Sequence, residues 1–176
     1  MTLIPQVILL IVSITWVFIA PKYNILTYLK FNFVVIILGA VAGSGLALAG
    51  YGFYSFAKKT NKFYEIVELF EKGLAPAFRN LKLVDIILLS LVASFSEEVF
   101  FRGLLQQVFG IIIASIAFGL LHLPGFKYWV YALWATLSGV LFGFLFVFSG
   151  SLWLPISAHA INNVIGMILL TKLEKA

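Results

Sequence analysis

The chain has 176 residues, of which 62% are hydrophobic, 16% aromatic and only 11% charged, and its mean hydropathy is +1.09. A soluble domain of this length cannot hide so much apolar surface, whereas a bilayer accepts apolar helices whose backbone groups are bonded internally, so composition excludes an ordinary water-soluble fold. The net charge of +5 does not point to nucleic acid, because the basic residues lie between apolar runs rather than in a tract or stripe; with no cysteine, disulfides, thiol nucleophiles and thiolate metal sites are excluded as well.

The pattern predicts an all-α, polytopic membrane bundle of about six transmembrane helices, plus one short amphipathic interfacial helix, forming a single domain over 1–176. A spanning helix needs about 20 mostly apolar residues, and the first run covers 3–20, closed by Pro21 and Lys22. It starts without the basic stretch of a signal peptide and is longer than one, so it reads as a retained span. The second span, 31–56, carries Gly39, Gly43, Gly45, Gly50 and Gly52. Small residues let backbones approach in lipid, and no strand-to-helix phosphate loop surrounds these glycines.

The stretch 57–82 is the only long polar one. Its Phe63, Ile66, Val67 and Phe70 recur at helical spacing, which fits an amphipathic helix at the interface or a solvated connecting helix, with Glu65, Glu68 and Glu71 on the wet face. Four further spans follow at 83–105, 108–123, 128–148 and 152–171. A cytoplasmic N-terminus puts the basic residues of the connecting stretch, Lys127, Lys172 and Lys175 on one side and leaves Lys22 and Lys30 on the other. The basic excess therefore predicts an integral protein of the cell membrane with both termini cytoplasmic. Trp16, Trp129, Trp134 and Trp153 read as interfacial or packing aromatics.

Polar side chains inside a bilayer cost about 2.5–3.5 kcal/mol each on insertion scales, so each needs a reason. Here they cluster: Glu97, Glu98 and Arg102 in the third span, His122 at the end of the fourth, and His159, Asn162 and Asn163 in the sixth. Glu98 and Arg102 share a helix face in the order that favours an ion pair, and Glu97 points about 100° away. The carboxylate left without the arginine is the one free to act as a base. Alone, these three residues fit a packing network equally well. The two histidines, the only ones in the chain, point instead to a shared site. His159 and Asn163 lie on one face, and Phe118 places a ring one turn from His122. A carboxylate, two imidazoles and a carboxamide suit activation of water and stabilisation of an oxyanion. Asp85, near Lys82 at the membrane edge, fits the start of a helix rather than the site.

The segments Glu97-Glu98-Val99-Phe100-Phe101-Arg102, Phe118-Gly119-Leu120-Leu121-His122 and His159-Ala160-Ile161-Asn162-Asn163 together resemble the CPBP family, the CAAX proteases and bacteriocin-processing (Abi) proteins. That family carries EExxxR, FxxxH and HxxxN on successive membrane helices. The resemblance covers about 83–170 and departs at none of the named positions. It implies a glutamate-type intramembrane endopeptidase acting on a peptide or protein substrate among membrane lipids, without cofactor or metal. In it, Glu97 with His122 activates the attacking water, His159 and Asn163 stabilise the oxyanion, and Glu98, Arg102 and Phe118 support the site. The isoprenyl-CAAX substrate does not carry over, because the prenyl-processing members have more membrane helices. Peptide maturation and bacteriocin immunity are looser analogies.

Three other readings compete. Glu97, His122 and His159 form a ligand set like that of some catalytic zinc sites, although no HExxH occurs. A non-catalytic immunity or peptide-binding protein could keep the cluster for packing. A transporter could use it to relay protons, but corresponding halves with paired broken helices are not found.

Overall fold

The computed structural model describes residues 4–19 and 25–173. Leu3, Ala20, Pro21, Lys22 and Lys175, which enter the first expected span and the charge distribution, lie outside them. In chain order the helices are α1 (Ile4–Ile19), a 3-10 turn (Ile25–Tyr28), α2 (Phe33–Thr60), α3 (Tyr64–Glu68), a π-helical turn (Leu69–Leu74), α4 (Ala75–Phe78), α5 (Leu83–Phe100), a second π-helical segment (Phe101–Leu105), α6 (Gln106–Leu121), a 3-10 turn (Phe126–Tyr128), α7 (Trp129–Ser149) and α8 (Trp153–Thr171). No strand occurs among the described residues, so the protein is an all-α membrane bundle.

The number of spans differs from the expected six. Among the described residues, four helical stretches are long and apolar enough to cross a membrane: Phe33–Thr60, Leu83–Leu121, Phe126–Ser149 and Trp153–Thr171. The described part of the first expected span is the 16-residue α1, about 24 Å long. The expected third and fourth spans form one 39-residue stretch that is broken inside α6 at Gly110, where φ is 81° and ψ 172°. Only 111–121 lies beyond the break, about 16 Å of helix, so this piece is a half-helix rather than a full span.

The break reverses the chain. In a straight helix Phe101 and Phe118 would be about 25 Å apart, yet their rings meet edge to face with centroids 5.1 Å apart. The conformation at Gly110 belongs to a region that only glycine occupies freely. A Cβ built there meets nothing within 4 Å, so glycine is required by the backbone and not by crowding.

Close helix contacts place α8 and α7 against their neighbours. A Cβ on Gly39 would come 1.9 Å from Ser157 Oγ, and one on Gly43 would come 2.1 Å from the Ala158 carbonyl oxygen. These two glycines therefore let α2 lie directly on α8, the close approach that replaces hydrophobic driving force in lipid. Gly45 and Gly52 face open space and Gly50 makes ordinary contact with Trp134, so only part of the glycine run packs. Gly119 acts similarly between α6 and α7, since its Cβ would fall 1.9 Å from Thr136 Oγ1 and 2.7 Å from the Ala132 carbonyl.

The helix ends follow from local chemistry. Asn32 Oδ1 accepts from the Val34 N–H at 3.0 Å to start α2, and Asp85 Oδ2 accepts from the Lys82 N–H at 3.0 Å to start α5. The connecting stretch turns its apolar face to the protein: Val67 is buried with Tyr54 and Ala57, and Phe70 packs against them. Its glutamates are not simply solvated. Glu71 accepts from Tyr54 Oη and Lys58 Nζ, each at 2.6 Å, and Glu68 pairs with Lys127. Those bonds, Lys58 first and Tyr54 second, hold the Glu71 carboxyl below its usual range, and Lys127 does the same for Glu68. The stretch is thus tied to α2 and to the start of α7.

Candidate active site

The site lies where α5, the half-helix after Gly110, α7 and α8 meet. Glu97 and His122 are 25 positions apart in sequence, a distance of about 37 Å along a straight helix. The reversal at Gly110 brings Glu97 Oε2 to 3.9 Å from His122 Nε2. The same oxygen is 3.9 Å from His159 Nε2 on α8. It is buried and has no hydrogen-bond partner among the described residues.

Each imidazole is fixed through its other nitrogen. His122 Nδ1 lies 2.8 Å from the Phe118 carbonyl oxygen. A carbonyl only accepts, so the proton is on Nδ1 and Nε2 of the neutral ring is left as an acceptor. His159 Nδ1 lies 2.8 Å from Glu98 Oε1, an oxygen that also takes Arg102 Nη1 at 3.0 Å. Sequence spacing indicated the Glu98–Arg102 pair but not that Glu98 also anchors His159.

The pair is deeply buried, with Glu98 and Arg102 both at 0% exposure. A buried ion pair is costly unless its remaining groups are bonded, and this one is bonded only in part, since Glu98 Oε2 and Arg102 Nε have no partner among the described residues. Arg102 Nη2 donates to the Gly139 carbonyl at 2.9 Å. The guanidinium carbon lies 4.8 Å from the Phe118 ring centroid, 5.5 Å from that of Phe142 and 5.7 Å from that of Phe101, a cation–π enclosure in a dry setting. A Cβ on Gly139 would come within 3.3 Å of Nη2, so glycine there makes room for the arginine.

Aromatic rings wall the histidines. Phe118 is 4.4 Å from the His122 ring and 5.7 Å from that of His159, and Phe142 stacks on His159 at 4.9 Å. Phe101 and Phe142 were not singled out by the sequence, where they are two among 18 phenylalanines. Asn163 stands one turn along α8. Its Nδ2 is 3.5 Å from Ser94 Oγ and its Oδ1 is 3.4 Å from Asn162 Nδ2, so it borders the site beside the α5 turn that precedes Glu97. Gln106 is also polar and buried, donating from Nε2 to the Gly143 carbonyl at 3.2 Å.

Residues 79–165 match the family model described as type II CAAX prenyl endopeptidase Rce1-like. This stretch belongs to the Rce1-like family. Similar proteins include the uncharacterized protein YpbD of Bacillus subtilis strain 168, 33% identical over 88 residues, which are 50% of this chain and 47% of that protein. The uncharacterized protein YyaK of the same organism is 32% identical over 90 residues, 44% of this chain and 30% of that protein. The match thus spans less than half the length of these curated relatives. No solved structure matches the chain. The Rce1-like stretch contains Glu97, Glu98, Arg102, Gly110, Phe118, His122, His159 and Asn163, so the residues meeting around Glu97 and the glycine that joins them lie inside it. Its apolar helices and the Rce1-like stretch make this an integral membrane protein.

Proposed function

We propose that this protein is a glutamate-type intramembrane endopeptidase that hydrolyses a peptide bond in a site enclosed by α5, α6, α7 and α8. The observation that carries the reading is the buried Glu97 Oε2, unpartnered and 3.9 Å from the Nε2 atoms of both His122 and His159. Gaps above 3.5 Å between polar atoms fit a bridging water, and a water has two protons to offer such acceptors. In this scheme Glu97 removes a proton as the water oxygen attacks the scissile carbonyl, and His122 Nε2 orients the same water. Glu97 then returns the proton to the leaving amine as the C–N bond breaks. His159 and the Asn163 carboxamide flank the oxyanion side. Glu98 and Arg102 position His159, and Phe118 braces both rings.

The substrate is a peptide or protein segment presented among membrane lipids. The protein sits as one membrane domain over 1–176 in the cell membrane with both termini cytoplasmic, as the basic side chains of the connecting stretch favour. Nucleic acid has no place in the scheme. Zinc ligands at about 2.0–2.1 Å from the ion stand about 3.4 Å apart. The 3.9 Å separations here are wider, and no group of three among the described residues is arranged to hold a metal. Hydrolysis is therefore expected to survive strong chelators.

The test uses purified protein in proteoliposomes with a mixture of internally quenched peptides. Wild type should cleave, with or without chelator, and Glu97→Gln should fall to background while accumulating and folding normally. Equal cleavage by both would overturn the assignment and favour a non-catalytic, peptide-binding role. Cleavage lost on chelation and restored by zinc would favour the metal reading.

A further inference from the structure

The proton positions around Glu97 leave the site short of one component. His122 spends its Nδ1–H on the Phe118 carbonyl and His159 spends its own on Glu98. In the neutral rings both Nε2 atoms are acceptors, and both face Glu97 Oε2, a third acceptor. Three acceptors hold a water well, but the tetrahedral intermediate that follows carries a negative oxygen and needs hydrogen-bond donors. Arg102 has Nη1 on Glu98 and Nη2 on Gly139. Asn163 has one Nδ2 hydrogen toward Ser94 and the other left for the oxyanion, a single donor where a pair would hold it better.

Tyr131, on α7, is a side chain beside His122 with an uncommitted donor. Its ring lies 6.5 Å from the His122 ring at 63°. On another side it meets Phe70 edge to face, at 6.0 Å and 86°. These contacts fix the ring between the connecting stretch and the site. The hydroxyl forms no hydrogen bond with the described residues and is not among the fully buried unpartnered atoms, so its proton is uncommitted. Glu71, the residue after Phe70, accepts from Lys58 Nζ, which holds the tyrosine's neighbour in place.

We propose that Tyr131 is a further catalytic residue, whose phenolic O–H donates a hydrogen bond to the oxyanion formed when water attacks the scissile carbonyl. This rests on the hydrolase reading above. No proton is transferred: the proton from water goes to Glu97 and on to the leaving amine, and the tyrosine O–H stays intact. The bond is stronger to the oxyanion than to the ground-state carbonyl, so its contribution appears in kcat and hardly in KM.

Tyr131→Phe is the direct probe, because it keeps the ring against Phe70 and His122 and removes only the oxygen. Wild type, Tyr131→Phe and Glu97→Gln are compared in proteoliposomes on the internally quenched peptides. Tyr131→Phe should lose about 10²–10³-fold in kcat, with KM within about twofold and unchanged thermal unfolding. A kcat within about twofold of wild type, with Glu97→Gln inactive, overturns the role of Tyr131 and leaves the hydrolase reading standing. A loss seen equally in KM, or accompanied by lowered unfolding temperature, also overturns it, since the oxygen would then serve binding or packing. If Glu97→Gln cleaves as well as wild type, the hydrolase reading itself fails, and the tyrosine's role with it.

Discussion

Replacing Gly110 by alanine isolates the backbone feature that assembles the site. At φ 81° and ψ 172° an L-residue is strained by about 1–3 kcal/mol. The new methyl group meets nothing within 4 Å, so no packing term offsets or adds to that strain. Gly45 and Gly52 provide the internal control: they lie within α2 and also face open space, and alanine there should stabilise the helix by about 0.5–1 kcal/mol. The two kinds of substitution, chemically identical, are therefore expected to have opposite signs. Reversible unfolding in mixed micelles, followed by tryptophan fluorescence, reads the difference. Gly110→Ala should also lower peptide cleavage, because the reversal carries His122 to Glu97. Equal stability of Gly110→Ala and Gly45→Ala, or a gain at both, would refute the claim that the backbone at Gly110 is strained for other residues.

Other outcomes follow from the same packing and electrostatics. Arg102→Leu leaves Glu98 as an uncompensated charge at 0% exposure and should cost about 3–5 kcal/mol, measured by unfolding; a loss under about 1 kcal/mol would mean that Glu98 is relieved by another route. Gly43→Ala drives a methyl group to 2.1 Å from the Ala158 carbonyl and should cost about 1–3 kcal/mol or more by separating α2 from α8, whereas the neighbouring Gly45→Ala is tolerated. The Glu71 carboxyl is held below its usual value by Lys58 and then Tyr54. Its stabilisation is therefore fully present above the unfolded carboxyl value of about 4.3 and disappears as pH falls through the folded one. Glu71→Gln should narrow the gap between stability at neutral and at acid pH, and an unchanged gap would show that the carboxylate contributes nothing.

The parts of this fold that are local in sequence were legible there. Apolar runs of spanning length announced α2, α7 and α8 within a few residues, because a bilayer imposes length and composition on any helix that crosses it. Glu98 and Arg102, four apart on one helix, and Phe118 and His122, four apart on another, were equally readable. The connection between the third and fourth expected spans was not. The two glutamines at 106–107 fall between the expected spans 83–105 and 108–123, but Gln106 is buried against Gly143 and the chain turns at Gly110, inside an apolar run. A single glycine there carries no compositional signature of a turn. The Glu98–His159 contact joins residues 61 apart, and Glu68 and Glu71 find their partners on other helices. Such pairings depend on the tertiary arrangement, so periodicity alone assigned these glutamates to solvent. The aromatic enclosure of Arg102 is hidden for the opposite reason, since phenylalanine is everywhere in this chain.

The most direct test of the central claim, that Glu97 delivers a water molecule to the substrate, is a single turnover in ¹⁸O-labelled water followed by mass spectrometry of both the released peptide and the protein. The label should enter the new C-terminal carboxylate of the product and leave the Glu97 side chain unlabelled. Label in Glu97 would mean that its carboxylate attacks the peptide bond itself, and the water-activating role drawn from its place between the two imidazoles would be wrong.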